Sequence, residues 1–308
     1  MLHPYSSNRM REHFGTQRGP HSRSTYGVDT SGTVTYAFNS LGFRGEEYDA
    51  GAKAKLFFCG CSHTFGTGLD SEATWVSRFA AQYAQHVGLD HEDVCAMNFS
   101  QGGSSNSYIA RTLMTQCAAA KPDLVVAHFT SVERTEYYLD PDEVDPSDWT
   151  SRLMGVLSMG PWLDVGWFEK LTLGRKAPPA RQQQARKLLD WAKHYYCDTY
   201  TDLNAIAATI LHILNLQSYC SANGIPWLAC WVEHQRLVDE KLLGHATLGP
   251  LIQLLDRDRV LSLSITDAET QLDKAADGVH LGVDSNQAFA RRLWEQYLDS
   301  PSGPPAEA

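Results

Sequence analysis

Short apolar runs alternate with helical periodicity along most of this chain, and no other feature restricts its fold as much. Leu56-Phe57-Phe58-Cys59 is a buried-strand pattern closed by Gly60. Residues 74–87 follow, with Trp75, Phe79 and Tyr83 at i, i+4 and i+8 on one helix face. Val94 to Phe99 predicts a second strand and Asn106 to Cys117 a second helix. Asp123 to Phe129 predicts a third strand behind the breaker Lys121-Pro122. Residues 203–220 put Leu203, Ile206, Ile210, Ile213 and Leu214 on one face, and Gly224-Ile225-Pro226 leads into a fourth strand, Trp227 to Val232. A weaker fifth strand, Val260 to Leu263, precedes a closing helix over 285–298 that carries Phe289, Leu293 and Tyr297. Near-continuous apolar strands separated by amphipathic helices require a parallel sheet covered on both faces. The expected class is therefore α/β, a three-layer α/β/α sandwich around a central parallel sheet.

The flanks and one internal stretch break this rhythm. The 308 residues allow two domains or one enlarged domain. Residues 1–25 are polar and net basic, with Arg9, Arg11, Arg18 and Arg23 against Glu12. They predict a solvated N-terminal arm, with docking on an acidic protein partner as the sharper alternative. Tyr26 to Phe38 predicts a hairpin about Asp29-Thr30-Ser31-Gly32. The segment 137–202 opens on DPDEVDPSDW and carries Trp149, Trp162, Trp167, Phe168, the basic link GRKAPPAR, Trp191, Tyr195 and Tyr196. It is too long for a plain loop and predicts a cap inserted over the strand ends. The domain reading is thus an arm over 1–25, one α/β domain over 26–299 with the cap at 137–202, and a disordered tail over 300–308.

Charge excludes some partners. With 36 acidic against 26 basic residues the net charge is −10, which opposes a surface that coats nucleic acid or anionic membrane. No apolar run approaches the ~20 residues of a membrane-spanning helix. MLHPYSSNRMREHF has no apolar signal region. Seven cysteines, mostly in apolar runs, read as reduced core residues, so a cytoplasmic location is expected.

Ligands of open parallel sheets bind beyond the carboxyl ends of the strands, which directs attention to three segments. Gly60-Cys61-Ser62-His63 follows the first strand, where Ser62 is placed as a nucleophile or merely as a helix cap. Asn98-Phe99-Ser100-Gln101-Gly102-Gly103-Ser104-Ser105-Asn106 closes the second, where glycines let backbone N–H groups approach a ligand or merely form an ordinary strand-to-helix turn. Asp277-Gly278-Val279-His280 precedes the last helix, and an acid three residues before a histidine either orients its ring across a turn or is a helix-capping Asp beside a loop histidine. Two metal readings are weak. Cys59, Cys61 and His63 alternate, but no C-x-x-C pair follows them, and DPDEVDPSD lacks the spacing and glycine of a calcium loop. No cofactor or metal is expected.

In this order the three segments resemble the blocks of the SGNH (GDSL-like) hydrolase superfamily, from about Asn39 to Leu298. The lead-in NSLGFRGEE is similar to that of many such proteins. Gly60-Cys61-Ser62 stands for the family's G-D-S, with Cys61 in place of its Asp. Gly103, or else Gly102, stands for the second-block glycine, and Asp277 and His280 stand for D-x-x-H. The resemblance implies a flavodoxin-like SGNH fold and a metal-free serine esterase. Ser62 would attack, His280 would act as base, Asp277 would orient it, and the N–H groups of Ser62 and Gly103 would hold the oxyanion. The third block departs. It reads Thr130-Ser131-Val132-Glu133, so the family's oxyanion Asn falls on Val132, which has no side-chain donor. Asn106 and Arg134 are the nearest substitutes, and Arg134 competes with ion pairing to Glu133 or Glu136. Losing an oxyanion donor costs on the order of 10²–10³ in turnover.

The resulting expectation is hydrolysis of a small, neutral acyl ester of the O-acetyl type, carried on a carbohydrate if the cap's aromatic rings form a stacking surface. Those rings read more readily as the cap's own core or a subunit contact. The alternative is a catalytically degenerate binding or structural protein on the same scaffold, virion-associated by similarity to phage-encoded chains.

Overall fold

The computed structural model describes residues 23–28, 32–138, 156–160, 179–232 and 240–303. The central sheet has five strands: β3 (Ala54–Cys59), β4 (Val94–Asn98), β5 (Leu124–Phe129), β8 (Trp227–Trp231) and β9 (Val260–Ser264). All four pairings are parallel, in the order β4-β3-β5-β8-β9. Among the sheet's own strands this is the order 2-1-3-4-5, which switches direction beside β3 and opens a crevice at its carboxyl end. Every residue of β5 and β8 is buried, because helices cover both faces.

Strand alternation divides the core in two. Phe57, Cys59, Val125, Ala127, Trp227 and Ala229 face the helices Asn106–Ala119 and Asp202–Ala222. Leu56, Phe58, Leu124, Val126, Leu228 and Leu263 face the helices Trp75–His86 and Val283–Asp299. This is the period-two pleat doing its ordinary work on a sheet with no solvent face. The three-layer α/β/α class expected from the sequence is the one observed.

The N-terminal hairpin pairs β1 (Arg23–Val28) with β2 (Gly32–Ala37), and Phe38 then bridges Arg44, which bridges Asn98 at the end of β4. At the start of the segment read as a cap, β6 (Thr135–Tyr138), which begins two residues before it, pairs antiparallel with β7 (Val156–Met159), and the helix Pro179–His194 passes into a wider π-helical turn over Tyr195–Thr199. Most of the basic arm, the acidic run and Trp149, Trp162, Trp167 and Phe168 lie outside the described residues. Residues 300–303 differ from the expected disordered tail. Ser302 Oγ donates to the Trp227 carbonyl at 2.7 Å and accepts from Arg259 Nε at 3.1 Å, which fastens the segment to β8. Residues 304–308 are outside the described set. No helix among the described residues is long and apolar enough to cross a membrane.

Candidate active site

The turn after β3 is tightly clamped. A Cβ on Gly60 would stand 2.1 Å from Thr64 Oγ1 and 3.0 Å from the His128 carbonyl oxygen, so close approach, not a left-handed backbone, is what requires glycine there. Ser62 opens the short helix Ser62–Phe65 and is partly exposed. The N–H groups of Ser62 and His63 find no backbone acceptor among the described residues. Below them, Thr64 Oγ1 lies 2.7 Å from His128 Nδ1, and His128 Nε2 lies 2.9 Å from the Trp231 carbonyl oxygen. Asn98 Nδ2 donates to the Thr64 carbonyl at 2.8 Å. Burial pulls the pKa of His128 down to about 4, so it serves as a neutral strut joining the ends of three strands.

Arg44, from the lead-in segment, holds the far side of this turn. Its Nη1 donates to the carbonyls of Phe65 (2.7 Å) and Gly66 (2.6 Å), and its Nη2 donates to Leu69 (2.6 Å). The guanidinium also lies 4.6 Å over the Tyr36 ring. Burial lowers the pKa of Arg44 to about 10, against raising contributions from Tyr36, Asp70 and Glu72, so it remains a cation at neutral pH. In sequence Arg44 is one residue of the lead-in NSLGFRGEE, and no local pattern marks its task.

Asp277 and His280 meet across their loop. His280 Nδ1 donates to Asp277 Oδ2 at 2.5 Å. The N–H groups of Val279 and His280 donate to Asp277 Oδ1 at 3.0 and 2.9 Å. Burial favours the neutral acid, but these three hydrogen bonds outweigh it and hold the Asp277 carboxyl below its ordinary value. The Nδ1 bond leaves Nε2 of His280 as the lone-pair nitrogen. The loop abuts the segment after Ser62, where Ala276 N–H donates to the Gly68 carbonyl at 3.3 Å. The His280 ring lies 5.2 Å from that of His63, the residue next to Ser62. Ser62 and His280 make no hydrogen bond in this structure. Such contacts are often long before substrate binds and tighten in the Michaelis complex.

The other sequence candidates separate. Gly103 has φ of +73° at the turn after β4, and its N–H has no backbone acceptor among the described residues. Arg134 Nη1 reaches the Ser104 carbonyl at 3.4 Å, beside that turn, and its charge is felt at His63. Glu136, one competitor for Arg134, is bound instead by Arg111 Nη2 at 2.7 Å and Nε at 3.3 Å.

Asn106 is different. Its Nδ2 donates to the Thr130 carbonyl and to Thr209 Oγ1, both at 3.1 Å, while Oδ1 accepts from Thr130 N–H at 2.7 Å. Both amide hydrogens are committed, so Asn106 is a buried clamp and not the oxyanion donor expected of it. Val132 is buried and its side chain offers no donor. Cys59 and Cys61 lie in the cores on opposite faces of the sheet, so the alternation with His63 brings no ligand set together. Tyr137, Trp191, Tyr195, Tyr196 and Tyr200 contact one another, and Tyr196 Oη donates to the Glu133 carbonyl at 2.8 Å, which ties this cluster to Arg134's own turn.

No family model and no curated protein matches this chain. Some solved structures are similar to it in part. TesA is 15% identical, with 79% of this chain and 97% of that chain covered and a TM-score of 0.30. A catalytic mutant of Axe2, an acetylxylan esterase from Geobacillus stearothermophilus, is 14% identical, with 83% and 99% covered and a TM-score of 0.31. A putative lipolytic protein of the G-D-S-L family from Desulfitobacterium hafniense DCB-2 is 12% identical, with 79% and 99% covered and a TM-score of 0.28.

Proposed function

We propose that the chain is a serine-type ester hydrolase whose nucleophile is Ser62. The observation that carries this reading is the Asp277–His280 hydrogen bond. It is packed against the Ser62 turn and leaves a basic Nε2 on the ring that contacts the next residue. In this mechanism Ser62 Oγ attacks the ester carbonyl carbon as His280 Nε2 takes its proton. Asp277 stabilises the imidazolium that forms. The tetrahedral oxyanion accepts from the N–H groups of Ser62 and Gly103 and from the Arg134 guanidinium. His280 then gives the proton to the departing alcohol as the carbon–oxygen bond breaks. Water attacks the acyl-enzyme with the same base and frees Ser62 and the carboxylic acid.

Arg134 here replaces the donor missing at Val132. A cation is a strong partner for an oxyanion, and its place beside the Gly103 turn suits that task. The substrate class is a small acyl ester, with an O-acetylated sugar favoured if the aromatic cluster beside Glu133 extends over the cleft.

The second reading, a degenerate binding protein, draws on Val132 and on the committed amide of Asn106. Incubation with a fluorophosphonate followed by peptide mass spectrometry separates the two. The esterase reading expects one adduct, on Ser62, lost in Ser62→Ala and slowed in His280→Ala. It also expects p-nitrophenyl acetate turnover that Ser62→Ala abolishes. An unlabelled Ser62 in protein without turnover assigns the chain to the binding reading.

A further inference from the structure

His63 takes no part in the mechanism above, yet its ring lies edge to face with that of His280, centroids 5.2 Å apart at 64°. We propose that His63 is a positioning residue that buttresses the His280 ring from the nucleophile turn, so that Asp277 fixes one end of the imidazole and His63 fixes its swing. The inference rests on the Ser62–His280–Asp277 reading and deepens it.

The need for a buttress follows from the loop. Among the described residues one side-chain hydrogen bond, to Asp277, holds the His280 ring, and it constrains Nδ1 while leaving rotation about that bond. The side chain is a fifth exposed, so solvent offers it an alternative orientation. A flat ring packed against it closes that escape.

His63 is well placed to act this way. It follows Ser62 directly, so buttress and nucleophile ride on one turn. That turn is held rigid by Arg44 at Phe65 and Gly66 and by His128 and Asn98 at Thr64.

The charge of the buttress matters as well. When His280 takes the Ser62 proton, a cationic neighbour would oppose the change and a neutral aromatic one does not. His63 is held neutral, its pKa drawn down to about 3 by burial first. The neighbouring imidazoles of His280 and His128, which compete with it for a proton, and the cations Arg134 and Lys274 lower it further.

The test compares His63→Phe, which keeps a flat neutral ring, with His63→Ala, which removes it. Two readouts are used: p-nitrophenyl acetate kinetics, and the downfield proton NMR signal of the His280 Nδ1 proton shared with Asp277. The expected result is near-wild-type kcat in His63→Phe. His63→Ala should lower kcat about 10–100-fold at little-changed KM, as a misplaced base does. The Nδ1 proton signal should stay sharp in wild type and His63→Phe and broaden through solvent exchange in His63→Ala. Unchanged kcat and an unchanged signal in His63→Ala would overturn the proposal. An equal loss in His63→Phe would also overturn it, because it would place the role in the imidazole nitrogens. If His63→Ala does not fold, His63→Leu, which fills the space without a ring, takes its place. If wild type shows no turnover and no Ser62 adduct, the esterase reading fails, while the NMR comparison still decides whether His63 holds His280.

Discussion

A Cβ on Gly68 would stand 3.3 Å from the carboxylate carbon of Asp277. The segment that leaves the Ser62 turn is therefore in van der Waals reach of the group that orients His280. The same Cβ would meet Ala275 Cβ at 2.9 Å, and Gly68 sits at φ of +80°, held by its N–H to Tyr36 Oη at 2.7 Å. Gly68→Ala should destabilise the fold by about 2–4 kcal/mol, from left-handed strain and from crowding. It should also lower kcat by displacing Asp277. Gly103→Ala is the control. Gly103 is equally left-handed, but no atom of the described residues lies within 4 Å of the added methyl, so only the strain of about 1 kcal/mol remains. Urea unfolding of the two variants measures the difference. Equal losses would show that the contact with the Asp277 loop carries no weight.

Arg44 tests whether the same turn depends on its buried cation. Three carbonyls, from Phe65, Gly66 and Leu69, converge on one guanidinium, and a lysine's ammonium lacks the fork to span them. Arg44→Lys should cost about 2–4 kcal/mol in urea unfolding, since hydrogen bonds to a charged group contribute about 1.5–3 kcal/mol each and not all are lost. Fluorophosphonate labelling of Ser62 should slow in parallel as the turn loosens. A variant as stable and as reactive as wild type would show that the hydrophobic hairpin alone holds the turn.

The parts of this architecture that were legible in sequence are those with local causes. The runs LVVAHF and WLACW read as strands because full burial leaves no polar face to interrupt them. Asp277 and His280 read as a pair because their hydrogen bond closes over three residues. What escaped was set by distant packing. Asn106 looked like a donor near the glycine loop, but its partner Thr209 is 103 positions away and unpredictable from spacing. His128 hid inside an apolar strand because its two hydrogen bonds run to Thr64 and Trp231. Ser302 looked like a tail residue, and only the fold shows the Trp227 carbonyl that holds it.

Arg134 and Asn106, the two nearest substitutes by sequence, should separate in experiment. Arg134→Ala should reduce kcat for p-nitrophenyl acetate on the order of 10²–10³-fold with little change in KM, the signature of an interaction made in the transition state. Its thermal stability should change little. Asn106→Ala should do the reverse. It strips the buried Thr130 N–H and carbonyl of their partner and should cost about 2–4 kcal/mol in unfolding experiments. Any loss of activity should follow the loss of folded protein. A kcat defect in fully folded Asn106→Ala would return it to the oxyanion site.

Acid should weaken the fold through two imidazoles that the fold keeps neutral, the buried His128 and the partly exposed His63. His63 and His128 have folded pKa values drawn down to about 3 and about 4, chiefly by burial, against an unfolded value near 6.5. Between those limits the unfolded chain binds the extra protons, so the slope of unfolding free energy against pH is positive. Stability is full above about pH 6.5 and falls as the pH drops toward the folded values. Asp277 adds a component at lower pH. Its folded pKa lies below its unfolded value of about 3.9, so its contribution is present above that value and disappears as pH falls through the folded one. Thermal melts of wild type and His63→Phe from pH 7 to pH 4 measure the first component. The His63→Phe curve should fall less steeply over this range, because phenylalanine has no proton to accept, and the two curves should run parallel above pH 7. Parallel curves throughout would show that His63 is hydrated enough to titrate in the folded chain as it does in the unfolded one, so that the fold does not hold it neutral.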